Sequence, residues 1–470
     1  MWSTAASVPD FSLVPTRFLE PLYTAEEMKA AEAGHDVATL MERAGRAVAE
    51  EALRRYPDAR SFGAACGGGA NGGDGRIALE VLRAAGREAR EGTEGEVLID
   101  ALFGTGFHGE PRPEAARLIG ELNGAGVPVV AVDLPSGVDA DTGEVAGVAV
   151  KADATVTMHG RKVGLEVAPG RFHAGEVVVV DIGLEPGETA AALVDRDVLG
   201  LVPRKRETDN KYTAGALLVV GGSPGMAGSV TLTASAAFRA DAGYVTVCSE
   251  VEPQLLEAVK RPLGDAIEAA AKARALGIGP GLDRSPEKHA LVRRLLEETD
   301  LPAVVDADAL FGLEPFVRDA PTVLTPHAGE LARLLHRDPA WVDAHRLEAV
   351  GAASERFDCV CLLKGADTLV AAPGEGVLVS RLEHPSLATA GTGDVLTGVV
   401  AAFLAKGVAA RSAAAAGAIA CDAAAGFGPE RGLIASDVAS LLPLALARSD
   451  TGQSPVSRPK TRENRGDGAV

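Results

Sequence analysis

Short apolar runs that end in glycine or aspartate recur along this chain, and they constrain its fold more than any other feature. Between residues 62 and 183 these runs are FGAAC, EVLIDALFG, PVVAVDLPSG, ADATVTM and EVVVVDIG. Helical patterns separate several of them, which is the pattern of βαβ units. Strands of a parallel sheet are covered on both faces and are therefore apolar along their length. The pattern predicts an α/β fold with a parallel sheet.

A second series of such runs follows a charged segment that contains proline, LVPRKRETDNKY at residues 201 to 212. The second runs are ALLVVGG, GYVTVCS, ARALGIG, PAVVDAD, TVLTP, CVCLLKG and TLVAAPG. A chain of 470 residues is too long for one hydrophobic core, and 47% hydrophobic residues are ample for two. We therefore predict two domains, at residues 1–203 and 204–446. The tail at 447–470 is almost free of apolar residues and is predicted to be disordered.

Composition excludes several classes of protein. The chain has 46 Lys and Arg against 65 Asp and Glu, a formal charge of -19, which argues against general attraction to nucleic acid or acidic lipid. Its five cysteines are odd in number and form no CxxC pair, so we expect reduced, mostly buried thiols without a disulfide framework or a zinc site.

The location follows from two further segments. The N-terminus has prolines and an acid where a signal peptide would need an apolar stretch. The Ala-rich region 395–426 contains Lys406, Arg411 and Asp422, so packed helices explain it better than a membrane span. A cytoplasmic protein without membrane partners is expected.

The first candidate site is the glycine-rich segment GGGANGGDG at residues 67–75. It follows the run FGAAC and precedes a helical pattern, which puts a turn suited to phosphate at the mouth of a parallel sheet. Asn71 and Asp74 add oxygens that could bind a cation or sugar hydroxyls. A tight turn with capping Asn and Asp residues is the structural alternative.

Two aspartates follow the next strands of this block. Asp100 leads into LFGTGFHGE and Asp133 into LPSGVDADTG, and ligands collect at the carboxyl ends of such strands. Asn71, Asp100 and Ser136 together offer only hard oxygen ligands, which suit an alkali or alkaline-earth cation rather than zinc. Singly, each is more often a helix cap. His108 and His159 could act as acid or base, or be structural.

The motifs NGGDG, DALFGTG and DLPSGVDADTG, in that order, resemble the NAD(P)HX epimerase family from about Tyr23 to Leu184. That family has a Rossmann-like fold of three layers and interconverts the two C6 epimers of hydrated NADH or NADPH. The resemblance implies that Asn71, Asp100 and Ser136 hold potassium and that Asp133 contacts the substrate. Because inversion at C6 needs proton transfer, Asp133 is the acid-base candidate. The other substrate-binding residues that it implies are Ala70, Asn71, Gly72, Gly73, Asp74, Gly104, Thr105, Gly106, Phe107, His108, Gly109 and Glu110.

This chain departs from the epimerase pattern in two places. Ala70 stands where the family usually has the first Asn of NNGGDG. Only 24 residues separate Gly75 from Asp100, where the family fits an additional strand and helix. The segment 86–95, GREAREGTEG, reads as a polar loop. We therefore predict a sheet that is short by one strand and a weakened epimerase, and a non-catalytic binding module remains an alternative.

The second candidate site centres on AGTGDVLTG at residues 390–398. Gly391 and Gly393 free the backbone before a helix that begins near Asp394, which makes an anion hole for a transferring phosphoryl group. Asp394 could accept the proton of an attacking alcohol, or it could be only the N-cap of that helix. Lys364 could contact a nucleotide phosphate or be solvated at a strand end. His327 could donate to a carboxamide or phosphate, although by itself it reads as a structural turn residue.

The motifs GIGPGL, VVDADAL, TPHAGE, LLKGADT and AGTGDVLTG together resemble the NAD(P)HX dehydratase family, from about Asn210 to Leu442. That family has a ribokinase-like α/β fold and phosphorylates the C6 hydroxyl before phosphate leaves. The resemblance implies magnesium and ADP or ATP, with ADP preferred, and catalysis by Asp394. The implied hydrate-binding residues are Ser229, where the family usually has Ala, Gly281, His327 and Asp394. The implied nucleotide-binding residues are Lys364, Gly365, Ala366, Asp367, Thr368 and Gly393.

Together the two resemblances imply a bifunctional repair enzyme for hydrated nicotinamide cofactor. Its partners would be NADHX, NADPHX and ADP, and we expect a homo-oligomer. The alternative is a ribokinase-like kinase of a vitamin-precursor alcohol, joined to a non-catalytic N-terminal binding module. TPHAGE together with GIGPGL favours the dehydratase.

Overall fold

The structure, a computed structural model, describes residues 16–448, so almost all of the tail predicted at 447–470 lies outside the described residues. The α-helices are α1 Ala25–Glu32, α2 Val37–Arg55, α3 Ala70–Ala84, α4 Pro113–Gly124, α5 Ala227–Arg239, α6 Ala266–Ala270, α7 Pro286–Glu298, α8 Ala328–Leu335, α9 Pro339–Ala344, α10 Arg346–Phe357, α11 Thr392–Ala405, α12 Ala410–Ala425 and α13 Ala435–Arg448.

The strands form two sheets, and most of the predicted apolar runs are strands of one or the other. The strands are β1 Leu19–Tyr23, β2 Ser61–Cys66, β3 Glu88–Glu91, β4 Val97–Ala101, β5 Val129–Val132, β6 Ala154–Met158, β7 Arg161–Lys162, β8 Glu176–Val180, β9 Ala191–Val194, β10 Ala216–Val220, β11 Tyr244–Ser249, β12 Val259–Pro262, β13 Ala275–Ile278, β14 Ala303–Val305, β15 Thr322–Leu324, β16 Val360–Leu363, β17 Asp367–Ala371 and β18 Val377–Arg381.

The smaller sheet has the order β3-β2-β4-β5-β6-β8, and all its strands are parallel. Alternate residues of β4 point to opposite faces: Ile99 packs with α2 and α3, whereas Leu98 packs with α4. Helices therefore cover both faces, and the predicted three-layer Rossmann-like architecture is confirmed. A capping box formed by Thr24 and Glu27 begins α1.

Strand β3 corrects the prediction that residues 86–95 form a polar loop. It pairs with β2 at the edge of the sheet, where its glutamate and arginine side chains are exposed. An edge strand has one neighbour and needs no apolar run, which is why the sequence pattern missed it.

The connection from β3 to β4 is unusually short for two parallel strands. Residues 92–96 cross β2 over Gly63, and a Cβ at Gly63 would lie 2.5 Å from the carbonyl oxygen of Glu94. The Gly92 amide donates to Ala64 and the Glu96 amide donates to Ser61, so both ends of the crossover are tied to β2. The segment between Gly75 and Asp100 therefore supplies an edge strand, while its connection to β4 contains no helix.

The larger sheet has the order β12-β11-β10-β13-β14-β15-β16-β17-β18-β9-β1-β7. Its first seven strands are parallel, and β17 is antiparallel to both neighbours. Helices α5, α11, α12 and α13 contribute to the core on one face, and α6 to α10 contribute to the core on the other. This confirms the ribokinase-like α/β architecture of the second half.

Three strands from before residue 203 belong to this larger sheet. Strand β9 pairs with β18 in parallel, β1 pairs with β9, and β7 pairs with β1. The two halves therefore share one continuous hydrogen-bonded sheet. The boundary between residues 203 and 204 stays a prediction.

The five cysteines are unpaired, and Cys66 alone among them is only half-buried. Burial raises the pKa of Cys66 and Cys248 to about 11, so these thiols are protonated at neutral pH. Within residues 16–448, none of the helices is both long and apolar enough for a membrane span.

Candidate active sites

A cavity of about 1050 Å³ opens where β2, β4 and β5 of the smaller sheet end. Ten of the residues predicted to bind substrate line it: Ala70, Asn71, Asp74, Gly104, Thr105, Gly106, Phe107, His108, Glu110 and Asp133. Gly72 and Gly73 lie behind its wall. A Cβ at Gly72 would collide with the Gly67 carbonyl, and one at Gly73 with Met41, so these glycines let the first turn of α3 pack closely. Gly109 also lies outside the lining and has positive φ.

The three predicted cation ligands lie together around the backbone of Phe103. The Asn71 amide nitrogen donates to the Phe103 carbonyl at 2.8 Å, and the Phe103 amide donates to the Ser136 hydroxyl at 2.9 Å. That hydroxyl donates to Asp100 at 2.6 Å. Asp100 is fully buried, burial raises its pKa to about 6, and no basic side chain of the described residues pairs with it. A buried carboxyl without a cationic partner, among oxygen donors, fits a hard cation.

Asp133 has a partner that the sequence did not reveal. The Lys162 ammonium nitrogen lies 2.5 Å from Asp133 Oδ1, and Lys162 is fully buried. Lys162 also donates to the Thr157 hydroxyl and the Met158 carbonyl. Asp133 has a φ of 66°, a strained conformation held by these contacts. Both residues line the cavity, so Lys162 belongs to the site.

The cavity contains a second carboxyl, that of Asp74. Burial, together with repulsion from Asp133 and Glu32, raises the pKa of Asp74 to about 8. Asp74 Oδ1 is buried with no hydrogen-bond partner in the described residues. At neutral pH Asp74 therefore carries a proton, next to an aspartate that is paired with a cation. Carboxyl groups in such contrasting environments suit acid and base roles.

The two histidines considered as acid or base in this half, His108 and His159, have different surroundings. His108 lies at the cavity, and its hydrogen bond to the Asp139 carboxylate at 2.8 Å raises its pKa. His159 packs against the ring of Tyr23 outside the cavity lining, and burial lowers its pKa. The structural interpretation suits His159.

The second site is built on the N-terminus of α11. Gly391 is the N-cap with a φ of 90°, a conformation that favours glycine. The amides of the first turn of a helix have no intrahelical acceptor and are free to bind an anion. Asp394 lies in this first turn, so it stands beside any phosphate bound there.

The groups around Asp394 have opposite effects on its pKa. Burial and repulsion from Asp306 raise its pKa to about 6, although a hydrogen bond from Ser229 and attraction by Lys364 favour the charged form. At neutral pH Asp394 is mostly ionised, as a proton acceptor must be.

The carboxylate of Asp306, which the sequence motifs did not single out, holds Lys364 next to Gly393. The Lys364 ammonium lies 2.8 Å from Asp306 Oδ1, and the Thr397 hydroxyl donates to Asp306 Oδ2 at 2.7 Å. Burial works against the charge of Lys364, but Asp306 and Glu330 outweigh it and raise its pKa. Asp306 follows β14 at the carboxyl end of the sheet, which is the signal in VVDADAL that could have identified it.

Some of the predicted hydrate-binding residues lie near Asp394: Ser229 donates a hydrogen bond to it, and Gly281 lies next to Ser229. Gly281 has a φ of 59°, and a Cβ there would lie 3.2 Å from the Cβ of Ser229. His327 is the N-cap of α8, where its Nδ1 accepts from the Gly329 amide at 3.0 Å. This fixes Nδ1 as the acceptor and leaves Nε2 as the donor on a half-exposed ring.

A cavity of about 630 Å³ lies on the other side of Gly393. Five predicted nucleotide-binding residues line it: Lys364, Gly365, Ala366, Thr368 and Gly393. Asp367 does not line it. The Asp367 carboxylate is buried below the loop, where it accepts from Arg346 at 3.0 Å and from the Ala168 amide at 2.8 Å. Its burial raises its pKa, opposed by Arg346.

Two protein families match separate parts of the chain. A family model described as NAD(P)H-hydrate dehydratase matches residues 217–442. One described as YjeF-related protein N-terminus matches residues 37–93 and 87–164.

Relatives match nearly the whole chain. The bifunctional NAD(P)H-hydrate repair enzyme Nnr of Coxiella burnetii is 35% identical over 88% of this chain and 95% of its own length. The enzyme of the same name from Escherichia coli is 34% identical, over 86% of this chain and 88% of its own length.

Solved structures match a little over half of the chain. The ADP/ATP-dependent NAD(P)H-hydrate dehydratase of Bacillus subtilis, co-crystallised with ATP and Mg²⁺, is 27% identical with a TM-score of 0.50. The match covers 54% of this chain and 96% of that chain. A ribokinase-like superfamily protein of Enterococcus faecalis, 20% identical, matches 56% of this chain and 98% of its own with a TM-score of 0.50, which shows the fold alone.

Proposed function

The chain belongs to the family of bifunctional NAD(P)H-hydrate repair enzymes, and we propose that its two cavities catalyse the two repair reactions. The first half interconverts the R and S forms of hydrated NADH and NADPH. The second half dehydrates the S form with consumption of ADP or ATP. Asp394, in the first turn of a helix with free amides and beside Lys364, carries the dehydratase proposal.

Dehydration begins with transfer of a phosphoryl group to the C6 hydroxyl. Asp394 accepts the hydroxyl proton as its oxygen attacks, while the amides of the Gly391–Asp394 turn and Lys364 stabilise the charge on the moving phosphoryl. Phosphate then leaves C6 and a proton leaves C5, which restores the double bond of the dihydronicotinamide ring. Ser229, Gly281 and His327 border the hydrate in this proposal. Lys364, Gly365, Ala366, Thr368 and Gly393 contact the nucleotide, and Asp367 supports their loop from below.

Magnesium fits the second site. Mg²⁺ binds few protein ligands when phosphates supply the rest, and the carboxylates of Asp394 and Asp306 both lie close to Gly393. When bound, the ion neutralises charge on the phosphates. The Bacillus subtilis dehydratase was co-crystallised with ATP and Mg²⁺, which supports an adenine nucleotide as donor. We infer ADP as the preferred donor in this chain.

Epimerisation requires a proton donor and a proton acceptor at C6. The hydroxyl gains a proton as it leaves one face, and water loses a proton as it adds to the other. We assign the donor role to Asp74, which holds its proton at neutral pH, and the acceptor role to Asp133, which is paired with Lys162. The sheet short by one strand and the weakened epimerase stay predictions.

Potassium fits the oxygens of Asn71, Asp100 and Ser136. The buried Asp100 carboxyl has no basic partner, and a monovalent cation there would supply the missing charge. Its role would be to hold the Phe103 loop against the substrate rather than to react. A homo-oligomer and a cytoplasmic location stay predictions.

Incubation of the purified protein with each hydrate separately tests the proposal. If both hydrates yield NADH in the presence of ADP, both activities are present. If the S hydrate alone is consumed, the first half is a passive binding module. If neither is consumed while a vitamin-precursor alcohol is phosphorylated, the chain is a kinase and the proposal is wrong.

A further inference from the structure

A turn of the first half reaches the cavity of the second. Residues 163–172 follow β7 and fold into two 3-10 turns, Val163–Leu165 and Gly170–Phe172. This segment is fixed in its own half, because the Gly164 amide donates to Ala140 and the Gly170 amide donates to Gly143. We call residues Ala168 to Phe172 the docking turn.

The docking turn makes specific hydrogen bonds to the two loops that border the cavity. Arg171 donates to the carbonyl of Ala366, in the loop after β16, and to the carbonyl of Leu382, after β18, at 3.0 Å. The Ala168 amide donates to the buried carboxylate of Asp367. One guanidinium from the first half therefore ties together both loops of the second.

The docking turn also forms part of the cavity wall. Arg171 and Phe172 line the cavity together with Lys364, Thr368 and Gly393. The Phe172 side chain is 66% exposed, and its ring stacks on no other aromatic ring of residues 16–448. A large exposed aromatic residue at the rim of a cavity is an available surface for a planar group. The phosphate-binding amides lie at the Gly393 side of the same cavity, which leaves the Phe172 side for the base.

We propose that the first half contributes directly to the nucleotide site of the second, with Phe172 covering the adenine base and Arg171 as a positioning residue for the two loops. The proposal rests on the proposed function, in which an adenine nucleotide occupies this cavity. It makes the first half a determinant of nucleotide affinity in addition to its own reaction.

The effect expected is on affinity rather than on chemistry. The Bacillus subtilis dehydratase is matched over 96% of its length by 54% of this chain, which leaves too little of it for a counterpart of the first half. Such an enzyme operates without a docking turn. Asp394 and Lys364 belong to the second half, so the reacting groups are intact when Phe172 is changed.

The test uses the full chain with Phe172→Ala and Phe172→Leu. We expect the KM for ADP to rise about tenfold in Phe172→Ala and less in Phe172→Leu, with kcat for S hydrate dehydration and the rate of epimerisation unchanged, since stacking of a base on an aromatic ring accounts for an effect of this size. Val179→Ala, which truncates an exposed residue on β8, is the matched control and leaves the KM unchanged.

Direct binding separates this inference from the proposed function. Calorimetry with ADP and with inorganic pyrophosphate should show that Phe172→Ala weakens ADP binding and leaves pyrophosphate binding unchanged. Arg171→Ala should weaken both, because it releases the loops, and Arg171→Lys should restore part of the loss, whereas Arg90→Ala in the same half has no effect. Equal ADP affinity of wild type and Phe172→Ala overturns the inference. A wild type that binds ADP but dehydrates nothing contradicts the proposed function and leaves this inference standing.

Discussion

The two sites use the same arrangement of charges for opposite purposes. Each contains an aspartate paired with a buried or nearly buried lysine, Asp133 with Lys162 and Asp306 with Lys364, and each holds a further carboxyl of raised pKa. In the first site, the carboxyl of raised pKa meets only like charges, and its pKa reaches about 8. In the second, a hydroxyl and an ammonium group favour its ionised form, and its pKa is about 6.

This difference of about two units decides which role each carboxyl has at neutral pH. Asp74 holds a proton to donate, and Asp394 is free to accept one. The comparison teaches that the number of neighbouring donors, rather than burial alone, assigns the acid and base roles at these two sites.

Removal of the proton acceptor in the second site should have the largest effect. We expect Asp394→Asn to lower the rate of dehydration about a thousandfold, because the amide of the variant cannot accept the hydroxyl proton. Epimerisation should stay at the wild-type rate, since its carboxyls lie in a different cavity. Both rates are followed with separate S and R hydrates. Equal loss of the two activities would show that the sites are not independent.

Substitution of either lysine should lower the rate of the reaction at its own site and leave the other reaction active. Lys162→Met leaves Asp133 without its cation, and we expect epimerisation to fall about a hundredfold while dehydration persists. Lys364→Met should do the reverse. Because an unpaired buried aspartate also destabilises the fold, the double variant Lys162→Met with Asp133→Asn is the control, and it should regain stability but not activity. Wild-type epimerisation in Lys162→Met would contradict the role of the pair.

The two reactions should depend differently on pH, because the carboxyls of Asp394 and Asp74 have different pKa values. Dehydration requires ionised Asp394, so its rate should fall about tenfold per pH unit below about 6. Epimerisation requires protonated Asp74, so its rate should fall above about 8. Asp306→Asn removes a repelling charge and should move the acid limb of dehydration to lower pH. An acid limb that stays in place would show that another group limits the rate.

Sequence patterns predicted both folds and the regions of both sites, because each relevant strand carries an apolar run and each loop carries glycine. Asn71, Asp100 and Ser136 were predicted to act together, and they do lie around one loop. Such residues can be predicted from sequence because each lies at or after the carboxyl end of its own strand in a parallel sheet, where these ends share one edge.

Contacts between segments that are distant in the chain could not be predicted from the sequence. Lys162 lies in a two-residue strand, β7, whose pairing with β1 joins residues far apart in the chain. Edge strand β3 has exposed polar side chains, and β1 and β9 enter the sheet of the other half. These features depend on which surfaces meet in three dimensions, and local periodicity carries no information about that.

The smallest effect, and the sharpest test of the acid role, is on stability. The pKa of Asp74 rises from 3.8 in the unfolded chain to about 8 in the fold, so between these values the native state holds a proton that the unfolded state has lost. Wild-type stability therefore falls as pH rises toward 8, whereas Asp74→Asn pays no such penalty. We expect Tm of the variant to exceed that of the wild type by about 5 °C at pH 8.5 and by less than about 1 °C at pH 4.5, from calorimetry at each pH. The exposed Asp58→Asn measures the effect of the charge change itself. A Tm difference that shrinks as pH rises would mean that Asp74 is stabilised in its charged form, and the proton donor would then have to be another group.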